Sequence, residues 1–124
     1  QLSEGFGNIQ FTGDINDKEL KNLIGNAIAT IYIPIDEDFG MSPVESMAAG
    51  KPVIGSGEGG LLETVVHDQT GWLLSPNPSA EELIQILNDA NPKLAQSMRA
   101  DCEKRAKKFC TKNFIEKMRG IIEQ

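Results

Sequence analysis

Histidine and cysteine are scarce in this sequence, aromatic residues make up only 6% of it, and no apolar run approaches the length of a membrane span. The one histidine, His67, sits in the polar stretch HDQTG, and the two cysteines, Cys102 and Cys110, are eight residues apart. On a single predicted helix that spacing is about 12 Å along the axis, beyond disulfide reach. One His and two separated Cys do not make a metal cluster, and a Ser-His-Asp triad has weak support, so no metal site is expected. Without roughly 20 consecutive apolar residues there is no candidate transmembrane helix. The opening QLSEGFGN lacks the basic and apolar regions of a signal peptide, which makes a cytoplasmic location the expectation. Basic residues are also in deficit, with 12 Lys and Arg against 18 Asp and Glu for a formal charge of −6. General nucleic-acid binding needs cations to neutralise phosphates and is therefore excluded. The local cluster Lys104, Arg105, Lys107, Lys108 and Lys112 is read as a solvated helix face.

With 40% apolar and 24% charged residues, the 124-residue chain has the composition of one folded domain with a real core. Strand and helix patterns alternate along it. A short strand is predicted over Asn8 to Thr12, then a helix capped by Asp17 and running to about Asn26, with Leu20, Leu23, Ile24 and Ala27 on its apolar side. Thr30 to Ile35 is β-branched and of buried-strand length. Ser42 as N-cap and Pro43 as first helical residue open a helix that Gly50 ends. Pro52-Val53-Ile54 begins the next strand, a glycine-rich loop leads into a short helix from about Leu61 to Val66, and Trp72 to Leu74 is a brief strand. A capping box at Ser79-Ala80-Glu81-Glu82 then opens a helix to about Asn88, followed by helices over Pro92 to Phe109 and Phe114 to Glu123. Such alternation implies an α/β fold with a Rossmann-like parallel sheet flanked by helices, whose ligands sit at the carboxyl ends of the strands. About four strands are few for such a sheet, so residues 1–124 are expected to be a truncated domain.

Two loops carry the chemistry. The segment Glu37-Asp38-Phe39-Gly40-Met41-Ser42-Pro43-Val44-Glu45 places two carboxylates eight positions apart around a turn that opens a helix. Gly40 permits close approach of a ligand to the main chain, and the amides of Gly40, Met41 and Ser42 at the helix N-terminus suit phosphate or sugar oxygens. Glu45, in the first helical turn, can bridge a ribose diol through charge-assisted hydrogen bonds, and Glu37 faces the sugar from the loop. A capping box at Ser42 and Glu45 explains part of the segment but leaves Glu37, Phe39 and Gly40 without a role. The second loop, Gly55 to Gly60, spells G-x-G-x-x-G between a strand and a helix. Its short helix, with no acid at the end of the next strand, disfavours a dinucleotide site. Asp14 and Ile15 lie on a third βα loop where a base edge can rest.

Taken together, IQFTGDINDKEL, EDFGMSPVESMAAGKPVIG and GEGGLLETVVHDQTGWLL resemble, in this order, the nucleotide-sugar-binding half of family 4 glycosyltransferases, enzymes of the GT-B fold. The resemblance covers nearly the whole chain. It implies a nucleoside-diphosphate sugar as donor and no cofactor, with Glu37 beside the transferred carbon as catalytic residue. Phe39, Gly40, Met41 and Ser42 would hold sugar and phosphate, Glu45 the ribose, Asp14 and Ile15 the base, and Gly59 and Gly60 the second loop. It further implies retention of anomeric configuration, generally without metal, with protein donors stabilising the leaving group. EDFG combined with EGG is most similar to mannosyltransferase-like members that use GDP-mannose. The family's basic phosphate clamp and its acceptor domain, which takes a carbohydrate or lipid-linked acceptor, are expected before residue 1. The fragment alone should therefore be inactive, and the full-length enzyme could sit peripherally on the inner face of a membrane. The alternatives are a non-catalytic nucleotide-sugar-binding module or a related GT-B enzyme such as a sugar-nucleotide epimerase.

Overall fold

β-branched runs and amphipathic segments settle into a parallel α/β arrangement in the computed structural model, which describes residues 7, 9, 10, 12–33 and 41–109, the side chains of 41 and 42 excepted. In chain order the elements are α1 (Asp17–Asn26), β1 (Thr30–Tyr32), α2 (Met41–Ala48), β2 (Val53–Ser56), α3 (Leu61–Thr64), β3 (Gly71–Leu74), α4 (Ala80–Asp89), α5 (Pro92–Ser97) and α6 (Arg99–Lys107). The strands form one sheet in the order β1-β2-β3, parallel throughout, with Ile31 beside Ile54 and Ile54 beside Trp72. Parallel strands need a covered crossover, and α2 and α3 supply it between successive strands.

The core lies where the central strand meets α2, α3 and α6. Met47, Val53, Ile54, Leu61 and Cys102 are all but removed from solvent, with Val44, Trp72 and Met98 packed around them. Burying each of the large apolar side chains stabilises the fold by about 2 kcal/mol. Polar side chains inside are matched, apart from the buried Ser56 Oγ: Thr30 Oγ1 donates to Ser46 Oγ (2.8 Å), which donates to the Lys51 carbonyl (3.0 Å), tying β1 to the end of α2. Thr70 Oγ1 accepts from Val66 N at 2.8 Å. Gly50, in the left-handed region at φ 79°, ends α2 as its sequence position implies.

Several boundaries differ from the sequence expectation. Asn16, not Asp17, caps α1: its backbone is extended and its Oδ1 accepts from Glu19 N at 2.8 Å, leaving Asp17 as the first helical residue. Helix α2 begins at Met41, so Ser42 and Pro43 are its second and third residues and Glu45 lies just beyond the first turn. Of the strand expected over Asn8 to Thr12, Asn8 and Phe11 lie outside the described residues, while Ile9, Gln10 and Thr12 are in no strand. The long helix expected over Pro92 to Phe109 breaks at Met98, whose ψ of −6° and buried side chain turn the chain onto the core. Cys102 lies in α6, which ends at Lys107, and Cys110 lies outside the described residues, as does the helix expected from Phe114. The apolar side expected for α1 is only partly covered: the helix has no buried residue, and Leu23 is half exposed.

Candidate functional site

The carboxyl ends of β2 and β3 are joined through a glycine. Gly57 N donates to the Leu74 carbonyl at 2.8 Å, and a Cβ on Gly57 would lie 2.5 Å from that oxygen, so only glycine lets the loop lie this close to the end of β3. Gly59 follows in the left-handed conformation (φ 58°) and Gly60 is buried, its carbonyl accepting from Thr64 N and Thr64 Oγ1, both at 3.2 Å. The glycine run thus does two things: Gly55 and Ser56 complete β2, while Gly57 to Gly60 turn into α3. That division accounts for the poor fit to a dinucleotide fingerprint, because α3 spans only four residues.

Two charged side chains near this loop take roles that the sequence did not assign to them. Arg105 Nε donates to the Thr64 carbonyl (2.9 Å) and Nη2 to the Glu63 carbonyl (2.6 Å), closing the C-terminal end of α3 from α6. Its guanidinium also lies 5.3 Å from the Phe109 ring centroid. Arg105 is therefore not one more member of a solvated basic face, as its neighbours Lys104 and Lys108 are. The second is Glu82. Ser79 Oγ accepts from Glu82 N at 3.1 Å, but the Glu82 carboxylate, instead of completing a capping box, accepts from Ser75 N and Ser75 Oγ, both at 2.7 Å. These bonds, the Ser75 backbone N–H first, hold the Glu82 carboxyl below the usual carboxylate range. Neither interaction was legible in the chain, since each pairs groups brought together only by the fold.

Glu45 projects from α2 into a cleft of about 490 Å³ between α1 and α2. Leu20 and Ile24 form one wall, Ala48 and Ala49 the other, and Asp17 and Lys21 line it from α1. Glu45 is exposed and engages no side chain among the described residues, so its carboxylate is available to a ligand. Asp14 and Ile15, the residues expected to meet a base, precede α1 and do not line this cleft; Asp17 and Lys21, one turn apart on the same helix face, do. Glu37, Phe39 and Gly40 lie outside the described residues, and Met41 and Ser42 are described only as backbone in the first turn of α2.

His67 and Cys102 have structural partners. His67 Nδ1 accepts from Leu73 N at 2.9 Å, and its Nε2 is 3.6 Å from Asp68 Oδ2, an arrangement that fixes the turn into β3. Cys102 Sγ donates to the Thr70 carbonyl at 3.6 Å, and burial, helped by Asp101 and Glu103, pushes its thiol up to about 11. Among the described residues no group of three His, Cys, Asp or Glu is placed to hold a metal ion, and no helix is long and apolar enough to cross a membrane.

A parallel sheet with a helix between each pair of successive strands, one of those helices carrying a cleft-lining carboxylate, defines a Rossmann-like α/β unit. The chain belongs to the group 1 glycosyl transferases, whose family model matches residues 3–109. It is 37% identical over 113 residues to an alpha-1,3/1,6-mannosyltransferase of Dictyostelium discoideum, a match covering 89% of this chain and 26% of that enzyme. Its fold is similar to sucrose-phosphate synthase from Thermosynechococcus elongatus, with a TM-score of 0.76 and 28% identity over 92% of this chain and 29% of that one. It is also similar to the Anabaena protein HepE, solved in complex with UDP, with a TM-score of 0.56 and 28% identity over 67% of this chain and 24% of that one. The architecture is that of one half of a GT-B fold. The chain spans about a quarter of the length of the relatives it matches.

Proposed function

We propose that this chain is the donor-nucleotide-binding part of a retaining glycosyltransferase, with a nucleoside-diphosphate sugar as donor, GDP-mannose favoured, and a carbohydrate or lipid-linked acceptor bound by another part of the enzyme. The observation that carries the reading is Glu45, a carboxylate without a side-chain partner among the described residues that lines a mostly apolar cleft beside the N-terminal turn of α2. A ribose diol offers two hydroxyl donors that one carboxylate can accept together. The α2 amides, aligned with the helix dipole, suit the diphosphate next to that ribose. Met41 and Ser42 supply such amides, and Gly59 and Gly60 turn the second loop toward the same end of the sheet. Glu37 and Phe39 would face the transferred sugar. The leaving diphosphate would be stabilised by protein donors, in a reaction that needs no cofactor and generally no metal. The mannosyltransferase relatives support the choice of sugar, and a cytoplasmic site of action, with peripheral attachment to the inner face of a membrane, accompanies the reading.

Titration calorimetry of the chain with GDP and UDP tests it. Glu45→Gln should lose about 1.5 kcal/mol of nucleotide affinity, roughly tenfold, while its thermal unfolding stays close to that of the parent. Unchanged affinity in this variant means that the ribose is held elsewhere. With the complete enzyme, transfer of mannose from GDP-mannose with retained configuration, followed by NMR, separates a transferase from a binding module or an epimerase.

A further inference from the structure

We infer that the chain carries a second binding site, for a phosphate monoester, at the amino ends of its strands and separate from the cleft that Glu45 lines. A hollow of about 460 Å³ opens where residues 26–28, at the end of α1, and residues 50 and 51, between α2 and β2, meet α5 and Arg99 of α6. It shares no lining residue with the α1–α2 cleft. Its lining holds two cations, Lys51 and Arg99, and no acid, in a chain whose formal charge is −6. The α1–α2 cleft, by contrast, is lined by two carboxylates and one ammonium. Ligands of parallel α/β sheets gather at the carboxyl ends of the strands, so the donor reading leaves this hollow without a use.

Both cations stand on fixed supports. Lys51 N donates to the Ser46 carbonyl at 3.0 Å and the Lys51 carbonyl accepts from Ser46 Oγ at 3.0 Å, so its backbone is held on both sides by a buried residue. The aliphatic stem of Arg99 crosses Gly50: a Cβ there would lie 2.7 Å from Arg99 Cγ, and glycine leaves the room. Arg99 Nε donates to Glu103 Oε1 at 3.1 Å, which orients the guanidinium, and Glu103 does not itself line the hollow. The Arg99 Nη atoms and the Lys51 ammonium make no bond to another described residue. A free guanidinium fork beside a free ammonium, with no acid between them, suits an oxyanion of two charges, since the fork bonds two oxygens together and the ammonium adds a point charge. The remaining lining is largely apolar, with Ala27, half-exposed Ile28, Pro92 and Ala95, while the Gln96 amide adds a group that a hydroxyl can bond. The space is larger than a bare phosphate needs, and its apolar part takes the carbon skeleton of an ester.

The test is an amide NMR titration of the whole chain with glycerol 3-phosphate, inorganic phosphate and, at matched ionic strength, sodium chloride. Both phosphates should give saturable shifts at Ala27, Gly50, Lys51 and Gln96 that chloride does not reproduce, with glycerol 3-phosphate binding at least as tightly as inorganic phosphate. Lys51→Ala and Arg99→Ala should each weaken both phosphates about tenfold, as for loss of a charge-assisted bond. Thermal unfolding of the two variants checks that the fold is kept. Glu45→Gln should leave phosphate binding unchanged, so this site and the donor site stand or fall separately. Shifts that do not saturate, that chloride reproduces, or that persist undiminished in both cation variants overturn the site. Shifts confined to the first turn of α2 place the anion in the donor cleft and overturn it as well. Saturable binding of inorganic phosphate without binding of glycerol 3-phosphate overturns the assignment to a monoester.

Discussion

Strands β1 and β2 are neighbours of similar composition with opposite surroundings. Residues 30–32 (TIY) are partly or fully exposed, with Ile31 half exposed, whereas residues 53–56 (VIGS) are buried at every position. The helices beside them divide in the same way: α1 has no buried residue, while Met47 of α2 is wholly enclosed and α6 contributes Cys102 and Ala106 to the same core. Hydrophobicity is thus not what separates the two regions. Position is: β2 has a strand on each side and helices packed over it, and among the described residues β1 pairs on one side only. The half around β2 carries the core, and the more exposed half built on α1 forms one wall of the candidate cleft.

Substitutions that press on this contrast should differ sharply in effect. The largest is expected at Gly71, where a Cβ would lie 2.0 Å from the Val53 carbonyl oxygen and 2.7 Å from Val53 N. Gly71→Ala forces β3 off the central strand and should cost about 3 kcal/mol or more, seen as a collapsed or absent urea transition. Met47→Ala opens a cavity in the enclosed core and should cost about 2–5 kcal/mol, whereas Leu23→Ala on α1 should stay within about 0.5 kcal/mol of the parent. Equal costs at Met47 and Leu23 in urea unfolding would dissolve the contrast between the two regions.

The smallest effect belongs to Glu82, which ties the exit of β3 to α4. Its carboxyl is held below the ordinary value of 4.5 in the folded chain, so the folded state prefers the ionised form. Its contribution is therefore complete above pH 4.5 and is lost as the pH falls through the lowered folded value. The urea midpoint of the parent should exceed that of Glu82→Ala near neutral pH, and the gap should narrow below pH 4.5. A gap that stays constant with pH would mean that the two Ser75 bonds do not depend on charge.

The helix caps show how far local pattern reaches. Ser79 caps α4 and Asn91 caps α5 because an oxygen two or three residues before an amide is a local arrangement, readable in the chain. Glu82 shows where this stops: its spacing from Ser79 promised a capping box, but Ser75, brought close by the turn out of β3, offered two donors instead of one. The same limit explains the residues around the cleft. Glu45 was evident from its spacing along the chain, but Asp17 was taken for a cap and Lys21 was not singled out, since only the packing of α1 against α2 brings them to the cleft that Glu45 lines. Arg105 looked like one cation among several until α6 crossed the end of α3.

By itself the sequence determined the alternation of strands and helices, the turn chemistry of the glycines, and the order of the motifs that place the chain among the group 1 glycosyl transferases. All of these depend on neighbours a few residues apart, where backbone sterics and periodicity suffice. The tertiary structure alone decided which strand is enclosed, where the long C-terminal helix breaks, and which charged side chains share a cleft. Those outcomes depend on groups separated by tens of residues in sequence, whose meeting is set by how the helices close over the sheet.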